Sequence, residues 1–119
     1  MHLFDIDIPD KIAFKESETI SPGSAFAHFP MSAAWKVGLG ICYDLRFPEF
    51  TSVLTQAECN LLIFPGAFNS VTGPLHWHLL ARARAVDAQC YLIAASPARN
   101  ETLEYKAYGH SVIVAPTYP

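Results

Sequence analysis

The sequence lacks most of the features that mark the large binding classes. Only 16% of residues are charged, and 8 Lys plus Arg against 11 Asp plus Glu leave a net charge of −3. No run of one sign interrupts that mixture, which argues against a nucleic-acid groove or an anionic membrane surface as partner. A small molecule or another protein fits better. The 3 cysteines, Cys42, Cys59 and Cys90, are an odd number without CxxC spacing. Neither a disulfide framework nor a zinc ribbon is therefore indicated. No basic leader precedes an apolar segment, and no apolar stretch approaches the roughly 20 residues of a membrane span. The expectation is a soluble, intracellular protein of a reducing compartment.

What the chain has in quantity is apolar side chains, 51% of 119 residues. That length suits one modest domain, and the composition argues for burial over disorder. "HLFDIDIP", residues 2–9, alternates as a half-exposed strand does. "KESETISPGSAF" reads as a polar loop carrying Glu16 and Glu18. "WKVGLGIC" reads as a strand ending at Cys42, its glycines suggesting close approach of neighbouring backbone.

Beyond Asp44, the spacing of Phe47, Phe50, Leu54 and Ala57 predicts a helix of about ten residues, with Pro48 in its first turn. "CNLLIFP" is a continuously apolar run, as in a strand covered on both faces. After the turn-rich "GAFNSVTGP", Pro74 opens a second helix whose stripe is Leu75, Leu79, Ala83 and Val86, with Arg82, Arg84 and Asp87 mostly elsewhere. "CYLIAAS" and "HSVIVAP" are two further strands. Strand, helix, strand, helix, strand is the order of parallel crossovers, an α/β layer fold. Ligands of such sheets sit beyond the strands' carboxyl ends. Cys42 and the loop after Phe64-Pro65 arrive at that same edge.

Cys42 has four readings: a core cysteine, a metal ligand, half of a disulfide, or an attacking sulfur. At a strand-to-helix turn a thiol faces unpaired N–H groups and a positive dipole end, which favours the thiolate. The N–H of Tyr43 is then placed to receive an oxyanion. Cys59 and Cys90 read as core. An acyl-transfer site also needs a proton acceptor. His2, His28, His76, His78 and His110 are candidates, as is the carboxylate of Glu16. His76 and His78, two apart on a helix, diverge and make a poor metal pair.

Taken together, "GICYDLRFPE", "HLFDIDIP", "FKES", "FPGAFNSVTGPLHWHLLARARAVD", "ASPAR" and "GHS" resemble the nitrilase superfamily of carbon-nitrogen hydrolases, closest to its omega-amidase branch. The resemblance runs from about residue 2 to residue 115. It implies a single partial carbon-nitrogen hydrolase domain over residues 1–119, part of a four-layer α-β-β-α sandwich that in the full-length family pairs into homodimers. It implies Cys42 as nucleophile forming a thioester and Glu16 as the second, assisting glutamate, beside the Tyr43 N–H that the turn already offers; such a reaction implies no metal or organic cofactor, and the expected location is cytoplasmic or mitochondrial. It also implies Arg46, Phe68 and Thr72 around the distal carboxylate and keto group of a keto-dicarboxylic acid monoamide such as 2-oxoglutaramate. From the residues alone, Phe68 is equally a core residue and Thr72 a helix cap, and a surface ion pair with Glu49 is the lesser alternative for Arg46.

The family's lysine falls two residues before the histidine of "HLFD", at position 0, and its base glutamate further upstream. Lys11 and Lys15 match other family positions. After "HS" the family continues with a Pro-Trp-Gly-like turn, where this sequence reads "APTYP". The expectation is an internal piece of a longer ancestor, incomplete at both ends, with turnover impaired because members of a catalytic set act as a unit. The alternatives are a non-catalytic fragment and an amidase or N-carbamoyl hydrolase of other specificity.

Overall fold

The computed structural model describes residues 1–10 and 12–117. Two pieces of sheet organise them. A hairpin pairs β1 (Asp5–Ile8) with β2 (Ile12–Lys15), antiparallel. The main sheet has five strands in spatial order β3 (Ala27–Pro30), β4 (Lys36–Leu39), β5 (Leu61–Pro65), β6 (Tyr91–Ala95), β7 (Val112–Val114). Its three central strands are parallel and its two edge strands antiparallel.

The β4–β5–β6 crossovers run through α1 (Pro48–Gln56) and α2 (Thr72–Ala88), the α/β order expected from the sequence. Strand β2 ends at Lys15, where the segment read as loop begins, and β3 starts just beyond that segment; the sequence reading assigns no element to either stretch. Their short, polar-flanked runs give little periodic signal, and β3 is exposed along its whole length.

Pro48 occupies the first turn of α1, where its missing N–H costs nothing. The helix turns Phe50 and Leu54 inward onto Leu62 and Phe64 of β5, and these join Trp77 and Leu92 in one core. Gly40 shows why a glycine follows β4: a Cβ there would lie 2.2 Å from Cε1 of Phe64. The approach is by a core side chain, not by backbone as the sequence suggested.

The second helix differs most from expectation. It begins at Thr72, before Pro74, and Leu75, Leu79 and Val86 are exposed at 63%, 62% and 54%, with Ala83 half-buried. Gly73, Trp77, Ala81, Arg84 and Ala85 face inward. A stripe spaced three or four apart shows that one side is apolar without saying which side meets the sheet. Here the small side chains decide it, because Ala81 and Ala85 let the helix lie close. The Trp77 indole N–H then reaches the carbonyl of His110 at 2.7 Å. Arg84 is buried because its fork is used: Nε donates to the carbonyl of Leu45, Nη2 to that of Arg46 and Nη1 to Asp87. Among the described residues no helix is long and apolar enough to cross a membrane.

Candidate active site

Strand β4 ends at Leu39, and Cys42 opens a 3-10 turn, Cys42–Arg46. Its φ is +45°, a left-handed conformation that a non-glycine residue rarely adopts and that recurs at functional turns. The carboxyl end of β5 closes against it. A Cβ on Gly66 would sit 2.7 Å from the Cα of Cys42, so only glycine lets the two segments meet.

The turn is held from behind by Asp44, which is buried. Its carboxylate accepts the N–H of Ile41 at 3.0 Å, the N–H of His2 at 2.8 Å, the Nδ1–H of His2 at 2.7 Å and the Met1 nitrogen at 3.1 Å. The His2 ring stacks on Phe47 at 3.7 Å between centroids. The beginning of the chain is thereby fastened beneath the turn that carries the sulfur.

Cys42 is half-buried, and burial pushes its thiol above the ordinary range, against the lowering effect of the Ala67 N–H; the Glu16 charge adds to the rise and Arg46 opposes it. The sequence led us to expect a thiolate primed by a helix end. The structure corrects that: Cys42 heads a one-turn segment, α1 starts only at Pro48, and desolvation exceeds what so short a dipole supplies. A sulfur disfavoured as thiolate by burial depends on a proton acceptor when it attacks. Tyr43 follows it, and a 3-10 turn leaves the N–H groups of its first residues without partners inside the turn.

Cys42, Glu16, Tyr43, Arg46 and Phe68 line one cavity of about 680 Å³. Glu16 comes from the end of the β1–β2 hairpin, fixed there because Oε2 accepts the Phe4 N–H at 2.8 Å. Arg46, the last residue of the turn, directs Nη1 to Nδ1 of His76 at 3.2 Å, and its guanidinium carbon lies 4.8 Å from the centre of the Phe68 ring. It forms no ion pair with Glu49 among the described residues. Phe68 is at once core, packed edge-on against Trp77 at 5.0 Å, and cavity wall.

Thr72 is not among the residues lining the cavity. It opens α2, giving its N–H and hydroxyl to Oδ1 of Asn69 at 2.8 and 3.0 Å. Asn69 does line the cavity, as do Ser96 and Tyr105. The first could have been read as an Asx turn ahead of the helix and the second as the end of a strand, but Tyr105 carried no signal. Its hydroxyl donates to the Ala67 carbonyl, and burial, then Cys42 and Glu16, push it above the usual tyrosine range.

Among the described residues no histidine lines the cavity, so no cysteine–histidine dyad is formed there. Lys15 is exposed, and Lys11 lies outside the described residues. Cys59 and Cys90 are buried and unpaired, the Cys90 thiol donating to the Cys59 carbonyl at 3.0 Å. Among the described residues no three His, Cys, Asp or Glu side chains converge as metal ligands.

Comparison with known proteins agrees with this architecture. The family model described as carbon-nitrogen hydrolase matches residues 1–118. "Omega-amidase NIT2" of Bos taurus is 57% identical over 116 residues, covering 98% of this chain and 42% of its own length. The chain thus spans about 42% of the length of curated relatives such as this one. Among solved structures, Saccharomyces cerevisiae Nit3, a member of branch 10 of the nitrilase superfamily, superposes with a TM-score of 0.80 at 53% identity, over 85% of this chain and 37% of that one. The C. elegans NitFhit protein superposes with a TM-score of 0.85 at 40% identity, over 98% of this chain and 28% of that one. The five-stranded sheet with its two helices corresponds to part of the α-β-β-α sandwich of those proteins.

Proposed function

The chain belongs to the carbon-nitrogen hydrolase family, and from that premise we propose that it carries the nucleophile and acid-recognition half of an omega-amidase. The substrate would be a keto-dicarboxylic acid monoamide such as 2-oxoglutaramate, cleaved to ammonia and the free acid. The observation that supports this reading most is the convergence of Cys42, Glu16 and Arg46 on one largely apolar cavity.

Cys42 Sγ attacks the amide carbon as its proton passes to a base, a role the resemblance gives to a glutamate upstream of position 1. The carbonyl oxygen takes up the electron pair and is held by the Tyr43 N–H. The tetrahedral adduct collapses when the nitrogen gains a proton, so ammonia leaves and the S–C bond remains as a thioester. Water then attacks that carbon and the thiol returns. Glu16, anchored on Phe4, orders the site beside the sulfur. The guanidinium of Arg46 offers a planar fork to the distal carboxylate. Phe68 supplies the wall on which the carbon chain lies.

The experiment is ammonia release from 2-oxoglutaramate by the purified protein, with Cys42→Ala as control. A signal that survives in Cys42→Ala removes the sulfur from the mechanism, and equal signals at background remove catalysis from this chain. Arg46→Ala should weaken use of the acidic monoamide far more than that of a short neutral amide. Uniform loss would take specificity away from Arg46.

A further inference from the structure

Arg46 ends a turn on a long, flexible side chain, yet acid recognition needs its fork held at one angle. Two groups touch it. Phe68 lies beneath the guanidinium, its ring centre 4.8 Å from the guanidinium carbon, and offers a face to rest on without a directional bond to any one N–H. His76 supplies what the ring does not: its Nδ1 stands 3.2 Å from Nη1, reached from α2 across 30 positions of sequence.

A guanidinium only donates, so the imidazole must accept through Nδ1 and carry its proton on Nε2. That choice of partner matters. A carboxylate at the same place would orient Arg46 and also cancel its charge, whereas a neutral imidazole orients it and leaves the charge for a ligand. Arg84, about two turns further along α2, shows the opposite use, its fork already taken by the carbonyls of Leu45 and Arg46 and by Asp87. Arg46 has no carboxylate partner among the described residues.

We propose that His76 is a positioning residue: it aims the Arg46 guanidinium into the cavity while leaving its positive charge unspent. The proposal rests on the reading above, that Arg46 meets the anionic end of the substrate. It does not require that the chain turn over.

The test uses the sulfur itself as reporter, in the purified protein. Iodoacetate and iodoacetamide both alkylate a thiolate, Sγ displacing iodide as the S–C bond forms. They differ in carrying a negative charge or none. The ratio of their rates at Cys42, measured by mass spectrometry of its peptide, cancels the thiol's ionisation and reads the positive charge beside it. Arg46→Ala should lower the iodoacetate-to-iodoacetamide ratio by about threefold to tenfold, the scale of one partly screened charge at close range. His76→Ala should lower it by at least half of that on a logarithmic scale, and His76→Asn, which keeps a short acceptor, should restore it. In an Arg46→Ala background His76→Ala should change nothing.

If Arg46→Ala lowers the ratio and His76→Ala does not, the positioning role is overturned and the Arg46 reading stands. Recovery equal in His76→Asn and His76→Ala overturns it too. No effect of Arg46→Ala removes the Arg46 reading itself, and the proposal with it. Should His76→Ala fail to fold, His76→Phe keeps the bulk without the acceptor and carries the same expectation.

Discussion

The carboxylate of Asp44 accepts both the backbone N–H and the ring Nδ1–H of His2, at 2.8 and 2.7 Å, across 42 positions of sequence. The same carboxylate holds the N–H of Ile41, one residue before the sulfur. A single buried acid therefore joins the leading segment to the turn that carries Cys42.

Asp44 should be visible in the pH dependence of stability. Burial works against its charged form, but the N–H groups of His2 and Ile41 and the His2 ring outweigh it and hold the carboxyl below the usual aspartate range. A depressed folded value means stability that is present above the unfolded pKa, about 3.9, and lost as pH falls through the folded value. Asp44→Asn should be less stable than the parent at pH 7 by about 1.5–3 kcal/mol, and the gap should narrow below about pH 4. Urea denaturation of both proteins from pH 7 to 3 measures it; a constant gap would contradict the assignment.

The reactivity of Cys42 should titrate late. Burial raises its pKa, so the iodoacetamide rate should reach its half-maximum above the ordinary thiol value of about 8.5. Glu16→Gln removes a negative charge that disfavours the thiolate and should move the midpoint down, and Arg46→Ala should move it up. A midpoint near 7 in the parent would mean that the turn, not burial, sets the ionisation.

Gly66 should tolerate no side chain. Its missing Cβ would fall 2.7 Å from backbone of Cys42, so Gly66→Ala must push the end of β5 away from the turn. We expect a loss of about 1–3 kcal/mol and a changed rate of Cys42 alkylation. Gly23→Ala is the control, since a Cβ there meets nothing within 4 Å. Thermal melts of the pair decide the matter.

Arg84 should matter for its carbonyls more than for its ion pair. Arg84→Ala leaves the carbonyls of Leu45 and Arg46 without their donor and opens space in the core, costing about 2–3 kcal/mol. Asp87 is 59% exposed, so Asp87→Asn should cost less than about 1 kcal/mol. Chemical denaturation that ranked the two in reverse would place the stabilisation in the surface pair.

The central crossovers were legible because their signals are local. Pro48 and the Phe50–Leu54 spacing announce α1, and "LLIFP" announces a strand covered on both faces. Cys42 stood out as the residue between a strand and a turn, and the resemblance gave Glu16 and Arg46 their parts. The side of α2 that packs was not legible, because Leu75, Leu79 and Val86 satisfy the helical period as well as Trp77, Ala81 and Ala85 do. Nor was the state of the thiol, which follows from how much protein surrounds it.

The sequence by itself determined the order of the central strands and helices, the parallel core and the residue types available for chemistry, since each depends on neighbours a few positions away. Tertiary structure alone decided that Asp44 meets His2, that His76 meets Arg46 and that Tyr105 closes over Ala67. Those pairings span long stretches of chain, and contact at such range is set by how the helices seat on the sheet, a competition of packing that no local pattern encodes.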